Sequence, residues 1–337
     1  MTKKRKAMNE KVYATLKSAD TEDWVDYHIV RPFSYYWAVF FAKLGIHPNT
    51  VTIASMIIGA ASAFFFAHGC FHYEGGTGLL YNLLAFLLLF IADILDNTDG
   101  QLARMTNKRS ALGRILDGMA GYAWYVPIYI ALVYRFYVHH DIEFSLLGLS
   151  DTTTTVTIAT IIVFVMATIS GLLGIAPQQR IADYYIQAHL FFLKGEKGSE
   201  LDNVARQKEL LDQIPEKGHF WQRLVQRSYV DYTYQQERVT PQFQRLLSAL
   251  RKRYGDTANF PESVREEFCR YSKPTLNYVF MLVFNFRTSY LLLFCLLDIP
   301  VATFFFETII VTLIMRYTIR RHEAFCSRMA DAVEVKG

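Results

Sequence analysis

Three aspartates carry the chemistry most directly readable in this chain. Asp96, Asp99 and Asp117 lie at the ends of two strongly apolar stretches, in the run Asp96-Asn97-Thr98-Asp99-Gly100-Gln101-Leu102-Ala103-Arg104 and, eight residues on, Gly113 followed by Asp117 and Gly121. A carboxylate at or inside the boundary of a bilayer is costly unless paired or metal-bound, which makes it a functional candidate by default. On a helix Asp96, Asp99 and Gly100 share one face, and Gly113, Asp117 and Gly121 share one face of the next. A short turn around Lys108 lets two such helices gather three carboxylates. Oxygen-only ligands favour magnesium, manganese or calcium over zinc, and no His or Cys stands nearby to suggest otherwise. Small residues beside a divalent cation leave room for a phosphate or pyrophosphate, whose oxygens Arg104 and Arg114 can neutralise. The plainer alternative is a pair of helix ends whose acids are solvated or bridged to Arg104 and Lys108.

The elements that must position these residues are membrane spans. Apolar residues make up 52% of the chain and aromatics 15%, against 20% charged, a balance too apolar for a soluble protein of this length. About 20 apolar residues carry a helix across a hydrocarbon core roughly 30 Å thick. Six stretches qualify: 50–68, 79–95, 112–134, 154–176, 276–297 and 300–317. The charged start of the chain, Met1 to Lys11, does not read as a cleavable signal peptide. Lysines and arginines are absent from residues 68–78 and from the turn at Asp298 to Pro300. They precede span one (Lys3, Lys4, Arg5, Lys6), lie between spans two and three (Arg104, Lys108, Arg109), and follow span six (Arg316, Arg320, Arg321). The positive-inside rule then puts both termini and the acidic motif on the cytosolic face of a multi-pass, cytoplasmic-type membrane protein. Cys70, Cys269, Cys295 and Cys326 show no paired spacing, so no disulfide is expected.

The expected fold is all-α and polytopic: six transmembrane helices, an N-terminal interfacial helix and a cytosolic helical insert. The segments are 1–48 (cytosolic and interfacial), 49–176 (spans one to four with the acidic motif), 177–273 (insert), 274–318 (spans five and six) and 319–337 (cytosolic tail). Between Trp24 and Leu44 aromatic residues mix with His28, Arg31 and Lys43, which suits a helix in the headgroup layer and equally a packed N-terminal helix. In the insert, Phe220-Trp221-Leu224-Val225 and Phe243-Leu246-Leu247-Leu250 recur at helical spacing, and Thr240-Pro241 looks like a helix start.

The pattern Asp96-x2-Asp99-Gly100-x2-Ala103-Arg104-x8-Gly113-x3-Asp117 resembles the signature of the CDP-alcohol phosphotransferases, also called CDP-alcohol phosphatidyltransferases, at every defined position except the last. Pro48-Asn49-x-x-Thr52 resembles the family's lead into its first span, and Ala103-Arg104-x-Thr106-Asn107 is similar to its choline- and ethanolamine-phosphotransferase branch. The resemblance implies a transferase of phospholipid synthesis. It would move a substituted phosphate group from CDP-diacylglycerol or a CDP-alcohol to an alcohol acceptor and release CMP. It also implies Mg2+ or Mn2+, as a pair of ions held by Asp96, Asp99 and Asp117. CDP would bind at Asp96, Asp99, Gly100, Ala103, Gly113, Asp117 and Asn49, with Arg104 as a phosphate-side charge. Homodimers are usual in the family, membrane lipids are expected partners, and nucleic acid is not.

The family's fourth aspartate, a metal ligand and the base toward the acceptor, is Gly121 here. Three accounts fit. Asp93, one turn from Asp96 on the same face, supplies the base. Alternatively, the acceptor's own phosphate or a metal-bound alkoxide serves. Or the chain is a catalytically silent homologue that binds CDP-lipids. A transporter fits less well, since the acids cluster at one membrane face and not at the midplane. Asn285 and Arg287 within span five are expensive in a membrane, and fit either acceptor binding or a buried bridge to an acid such as Asp93. Glu307, in span six, reads as lining the outer half of the bundle, His139-His140-Asp141 as a solvated loop, and Gln178-Gln179-Arg180 as a helix end or the cytosolic mouth of a cavity.

Overall fold

The computed structural model describes residues 18–108 and 111–335. The basic run Lys3 to Lys6 and Arg109, used above for orientation, lie outside the described residues, as does the side chain of Arg114. The described chain is helical, with no strand. In order, α1 is Arg31–Lys43, α2 Pro48–Ala67, α3 Gly76–Thr106, α4 Ala111–Val138, α5 Thr153–Ile169, α6 Ala176–Lys194, α7 Val204–Asp212, α8 Phe220–Val239, α9 Pro241–Tyr254, α10 Glu262–Val279, α11 Phe284–Leu296 and α12 Thr312–Val335. Five helical stretches are long and apolar enough to cross a membrane: Pro48–Ala67, Gly76–Thr106, Leu116–Val138, Thr153–Lys194 and Ala302–Val335. The consecutive pair Glu262–Leu282 and Phe284–Leu296 makes a sixth if it is one span. These coincide with the six expected stretches, and they fit a multi-pass membrane protein.

The chain divides into two compact units, one of residues up to Ile175 with Phe284–Ile310, the other of Ala176–Val283 with residues from Val311 on. In the first, α2 packs on α3 and α4 through residues with little side chain. A Cβ on Gly59 would fall 2.1 Å from Trp124 Cδ1. The hydroxyls of Ser55 and Ser62 fold back onto carbonyls of their own helix. Helices in lipid gain their association from such close approach, because the tails around them are as apolar as their own side chains. Trp124 is fixed in turn by its indole N–H, which donates to the Ser55 carbonyl at 3.0 Å. Pro48 opens α2 at its first turn, where a missing N–H costs nothing, and the His47 side chain accepts from the Asn49 N–H.

Two buried ion pairs tie this unit together. Arg135 of α4 binds Asp298, the Asn82 side chain at 3.0 Å and the Cys295 carbonyl at 2.8 Å. Asp298 holds a left-handed backbone (φ +55°) and also accepts the backbone N–H of Phe71 at 3.0 Å and of His72 at 2.6 Å. Arg287 meets Glu307 at 3.2 Å, and its guanidinium stands 5.4 Å from the Tyr125 ring centre. The buried bridge expected as one role for Arg287 is thus formed, with Glu307 as its acid.

α1 turns Ser34 and Ala38 inward, the Ser34 hydroxyl donating to the Ile94 carbonyl of α3 at 2.9 Å. Its other face leaves Phe33, Tyr36, Trp37 and Phe40 exposed. Just before it, the Asn285 amide donates to Asp23 at 2.7 Å and to Asp26 at 2.9 Å, and Glu22 pairs with Arg31 at 2.9 Å.

The second unit buries an aromatic core. Phe192 stacks on Phe268 at 3.8 Å, Tyr185 stacks on His322 at 4.3 Å, and Phe243, Leu246 and Leu250 fill the space between. α9 starts at Pro241, and its first free N–H groups are answered by Glu323 of α12, which accepts from Gln242 at 2.6 Å and Phe243 at 3.2 Å.

Asp298→Asn keeps a residue that tolerates the left-handed backbone but removes the charge facing Arg135. In detergent it should cost about 3–5 kcal/mol of stability. Adding Arg135→Met should restore part of the loss, and a double variant no better than the single one refutes the account. For the N-terminal segment, burial and then the adjacent Asp23 carboxylate push Asp26 up to about 7, against the opposing pull of Asn285 and Arg31. With the folded value above the unfolded one, Asp26 contributes fully to docking in acid and loses that contribution as pH rises through about 7. Hydrogen exchange over residues 19–30, corrected for its intrinsic pH dependence, should quicken across that pH, and Asp26→Asn should flatten the profile.

Candidate active site

α3 stops at Asn107, whose left-handed backbone (φ +53°) lets its N–H close on the Ala103 carbonyl. Asn reaches that conformation at little cost because its short side chain can bond locally. The chain then returns as α4, so the last turns of α3 face the first turns of α4. The result is that Asp96, Asp99 and Asp117 each offer an oxygen, all within 4.8 Å of one another. The spacing read from the sequence therefore does bring the three acids together.

Their environments differ. Asp99 is buried and its Oδ2 accepts from the Thr52 hydroxyl of α2, while Asp117 is exposed. Asp96 is half-buried, and its Oδ1 is shielded from solvent with no hydrogen-bond donor. A shielded carboxylate oxygen left without a donor, beside two further acids, is a place that a cation satisfies.

Small residues open the space around the acids. A Cβ on Gly118 would meet nothing within 4 Å, and one on Gly100 would meet only the Arg104 guanidinium, at 3.5 Å. Arg104 is exposed one turn beyond Gly100, Ala103 and Gly113 are half-buried, and Asn49 lies in the first turn of α2. Gly121 follows Asp117 by one turn of α4 and offers no side chain at the fourth position.

Asp93 lies outside the group of three. It is buried on α3, with Asn97 donating to its Oδ1 at 3.2 Å, and its Oδ2 has no hydrogen-bond partner. The charges acting on it most strongly are Asp26 and Arg31 of the N-terminal segment. Asn285 and Arg287 are engaged by Asp23, Asp26 and Glu307 as described.

Sequence reasoning assigned no role to Thr52, although it closes the quoted Pro48-Asn49-x-x-Thr52 run. That spacing places its hydroxyl one turn inside α2, opposite Asp99. His140 pairs with Asp151 at 3.2 Å, and Asp141, which accepts from Tyr73, opens a short helix, Asp141–Leu147, in place of the expected solvated loop. Arg180 binds the Gln235 side chain and stacks over Tyr232. A second gathering of ligand-type residues, His322, Glu323 and Cys326, has its carboxylate occupied by the α9 N–H groups.

The sequence model of the CDP-alcohol phosphatidyltransferase family matches residues 45–182, which takes in α2 to α5 and the start of α6. A stretch of 79 residues is 34% identical to an uncharacterized protein of Aquifex aeolicus (strain VF5), covering 23% of this chain. The match spans about a third of that relative's length, 34%. No solved structure matches. The helices that carry the three aspartates, their spacing and the close-packed α2 beside them thus fall inside the stretch, residues 45–182, that matches the CDP-alcohol phosphatidyltransferase model.

Proposed function

We propose that this chain is an integral-membrane transferase of phospholipid synthesis. It moves a phosphatidyl or phosphoalcohol group from a CDP-linked donor to the hydroxyl of an alcohol and releases CMP. The observation that carries the reading is the convergence of Asp96, Asp99 and Asp117 within 4.8 Å, inside the stretch that matches the family. The donor-less oxygen of Asp96 and the all-oxygen ligand set suit Mg2+ or Mn2+. Such ions, when bound, offset the negative charge of the diphosphate and of the departing nucleotide.

The remaining work belongs to the chain's own residues. Thr52 holds Asp99 in place. Gly100 and Gly118 leave room for the diphosphate, and Arg104 offers donors to its oxygens. The acceptor oxygen bonds to the phosphorus that carries the lipid or alcohol substituent. The bond from that phosphorus to the bridging oxygen breaks, and this oxygen leaves on CMP. The hydroxyl proton passes to Asp93, whose Oδ2 is free of partners while Asn97 holds Oδ1. In this scheme Asn285 and Arg287 act on the acceptor indirectly, by fixing the N-terminal acids and the Glu307 pair.

Gly121 favours one further reading, a homologue that binds CDP-lipids without turnover. CMP release by the protein in lipid, with CDP-diacylglycerol, Mg2+ or Mn2+ and a panel of alcohols, separates the two. Acceptor-dependent release should vanish in Asp96→Ala and fall about 10²- to 10⁴-fold in Asp93→Asn, with donor affinity retained in the latter. Absence of release from the native chain, with donor binding intact and activity gained in Gly121→Asp, establishes the silent homologue instead.

A further inference from the structure

α12 distributes its charges by face. Glu323 caps α9, and Asp331 and Glu334 both bind Arg245 of α9, so the acids of this helix are committed on that side. Tyr317, Arg320, Arg321, Ala324 and Arg328 recur at helical spacing on another face. With Tyr271 of α10 they line an open hollow of about 500 Å³. Among the described residues no carboxylate pairs with Arg320, Arg321 or Arg328.

The hollow is built rather than a chance gathering of surface side chains. Tyr271 stacks on Phe325 at 3.9 Å and donates its hydroxyl to the Arg321 carbonyl at 2.7 Å. The Arg321 guanidinium is held 5.5 Å from the Tyr271 ring centre and 5.7 Å from that of Tyr278, and its Nε is shielded with no hydrogen-bond partner. Cation–π contacts of this kind orient a guanidinium without neutralising it. Ala324 keeps the floor between the arginines low.

Its level along the helices indicates the source of the anion. Tyr278 packs on Tyr317 and Tyr271 on Phe325, so α10 and α12 run antiparallel. The apolar end of α10, from Leu276 to Val279, therefore lies beside the apolar start of α12, from Thr312 to Met315. The tyrosines and arginines follow where both helices turn polar, the place aromatic belts and basic side chains take at the headgroup layer. We propose that Arg320, Arg321 and Arg328, with Tyr271 and Tyr317, hold the phosphate of an anionic phospholipid headgroup, in a site that uses none of the residues of the aspartate cluster.

The test uses the full chain in nanodiscs of phosphatidylcholine containing phosphatidylglycerol, with mass spectrometry of the lipid that stays bound on delipidation. The native protein should retain phosphatidylglycerol over phosphatidylcholine. Arg320→Gln with Arg328→Gln should cut that preference about thirtyfold, each interfacial cation contributing roughly fivefold, while Arg320→Lys with Arg328→Lys should keep most of it. Both arginines are exposed, so these substitutions leave the packing of α12 intact. Equal retention by the native and Gln-substituted proteins overturns the proposal. So does competition by inorganic phosphate as effective as that by the lipid, which would make this a site for a free anion.

Discussion

A charge inside a hydrocarbon layer has no water to answer it, and the first unit is organised around that constraint. Charges meet α4 at three levels. Near its end, Arg135 is closed off by Asp298, Asn82 and two backbone carbonyls. Midway, Tyr125 lies under the Arg287 guanidinium, itself paired with Glu307. Near its start, Asp117 joins Asp96 and Asp99, three groups of one sign that cannot neutralise one another. Two levels are closed by pairs of opposite charge, whereas the third gathers three carboxylates around one point, and that difference separates a structural ion pair from a candidate binding site. Along α3, Asn82 and Asp96 are on the order of 20 Å apart at the rise of an α-helix, so the ion-paired end anchors the helices well away from the place where the carboxylates gather.

The geometry of the open level depends on how closely α2 and α4 approach. Gly59 admits Trp124, and Trp124 is pinned through its N–H to Ser55. Trp124 stands two turns along α4 from Asp117, and Ser55 about one turn along α2 from Thr52, which holds Asp99. One packing contact therefore sets the height of Asp117 against Asp99. A larger residue at 59 would act on the site without touching it, since a buried indole held by a hydrogen bond has little freedom to move.

Much of this was legible in the sequence, for reasons that can be named. The spans announce themselves because hydrophobic length is a one-dimensional property. The convergence of Asp96, Asp99 and Asp117 followed from helical periodicity on either side of one short turn, so it needed no knowledge of distant contacts. Arg135, Asn82 and Asp298 were not legible as a group. Each stands near the end of a span, where a polar residue is unremarkable, and their meeting depends on the packing of helices more than 150 residues apart in the chain. Thr52 was hidden by its ordinariness, a hydroxyl among many, until the acid opposite it was in place. Glu307 was read as lining its span because nothing in its neighbours along the chain pointed to Arg287.

In the transferase reaction proposed above, Gly121 offers no side chain and leaves the proton acceptor to another part of the chain. In that reading the proton acceptor is Asp93, whose Oδ2 is shielded without a hydrogen-bond partner, and Asp26 and Arg31, whose charges act on it most, precede the matched residues 45–182. Asp26 and Asp23 are in turn held by Asn285 of α11, beyond the far end of that stretch. The charges that act on Asp93 therefore come from segments the family match does not cover. An N-terminal segment docked through Asn285 brings the charge of Asp26, and that of Arg31 tethered by Glu22, to bear on Asp93. In the proposed reaction the segment before α1 belongs with the chemistry as much as with the packing, because its docking through Asn285 sets the charges that face the proposed proton acceptor.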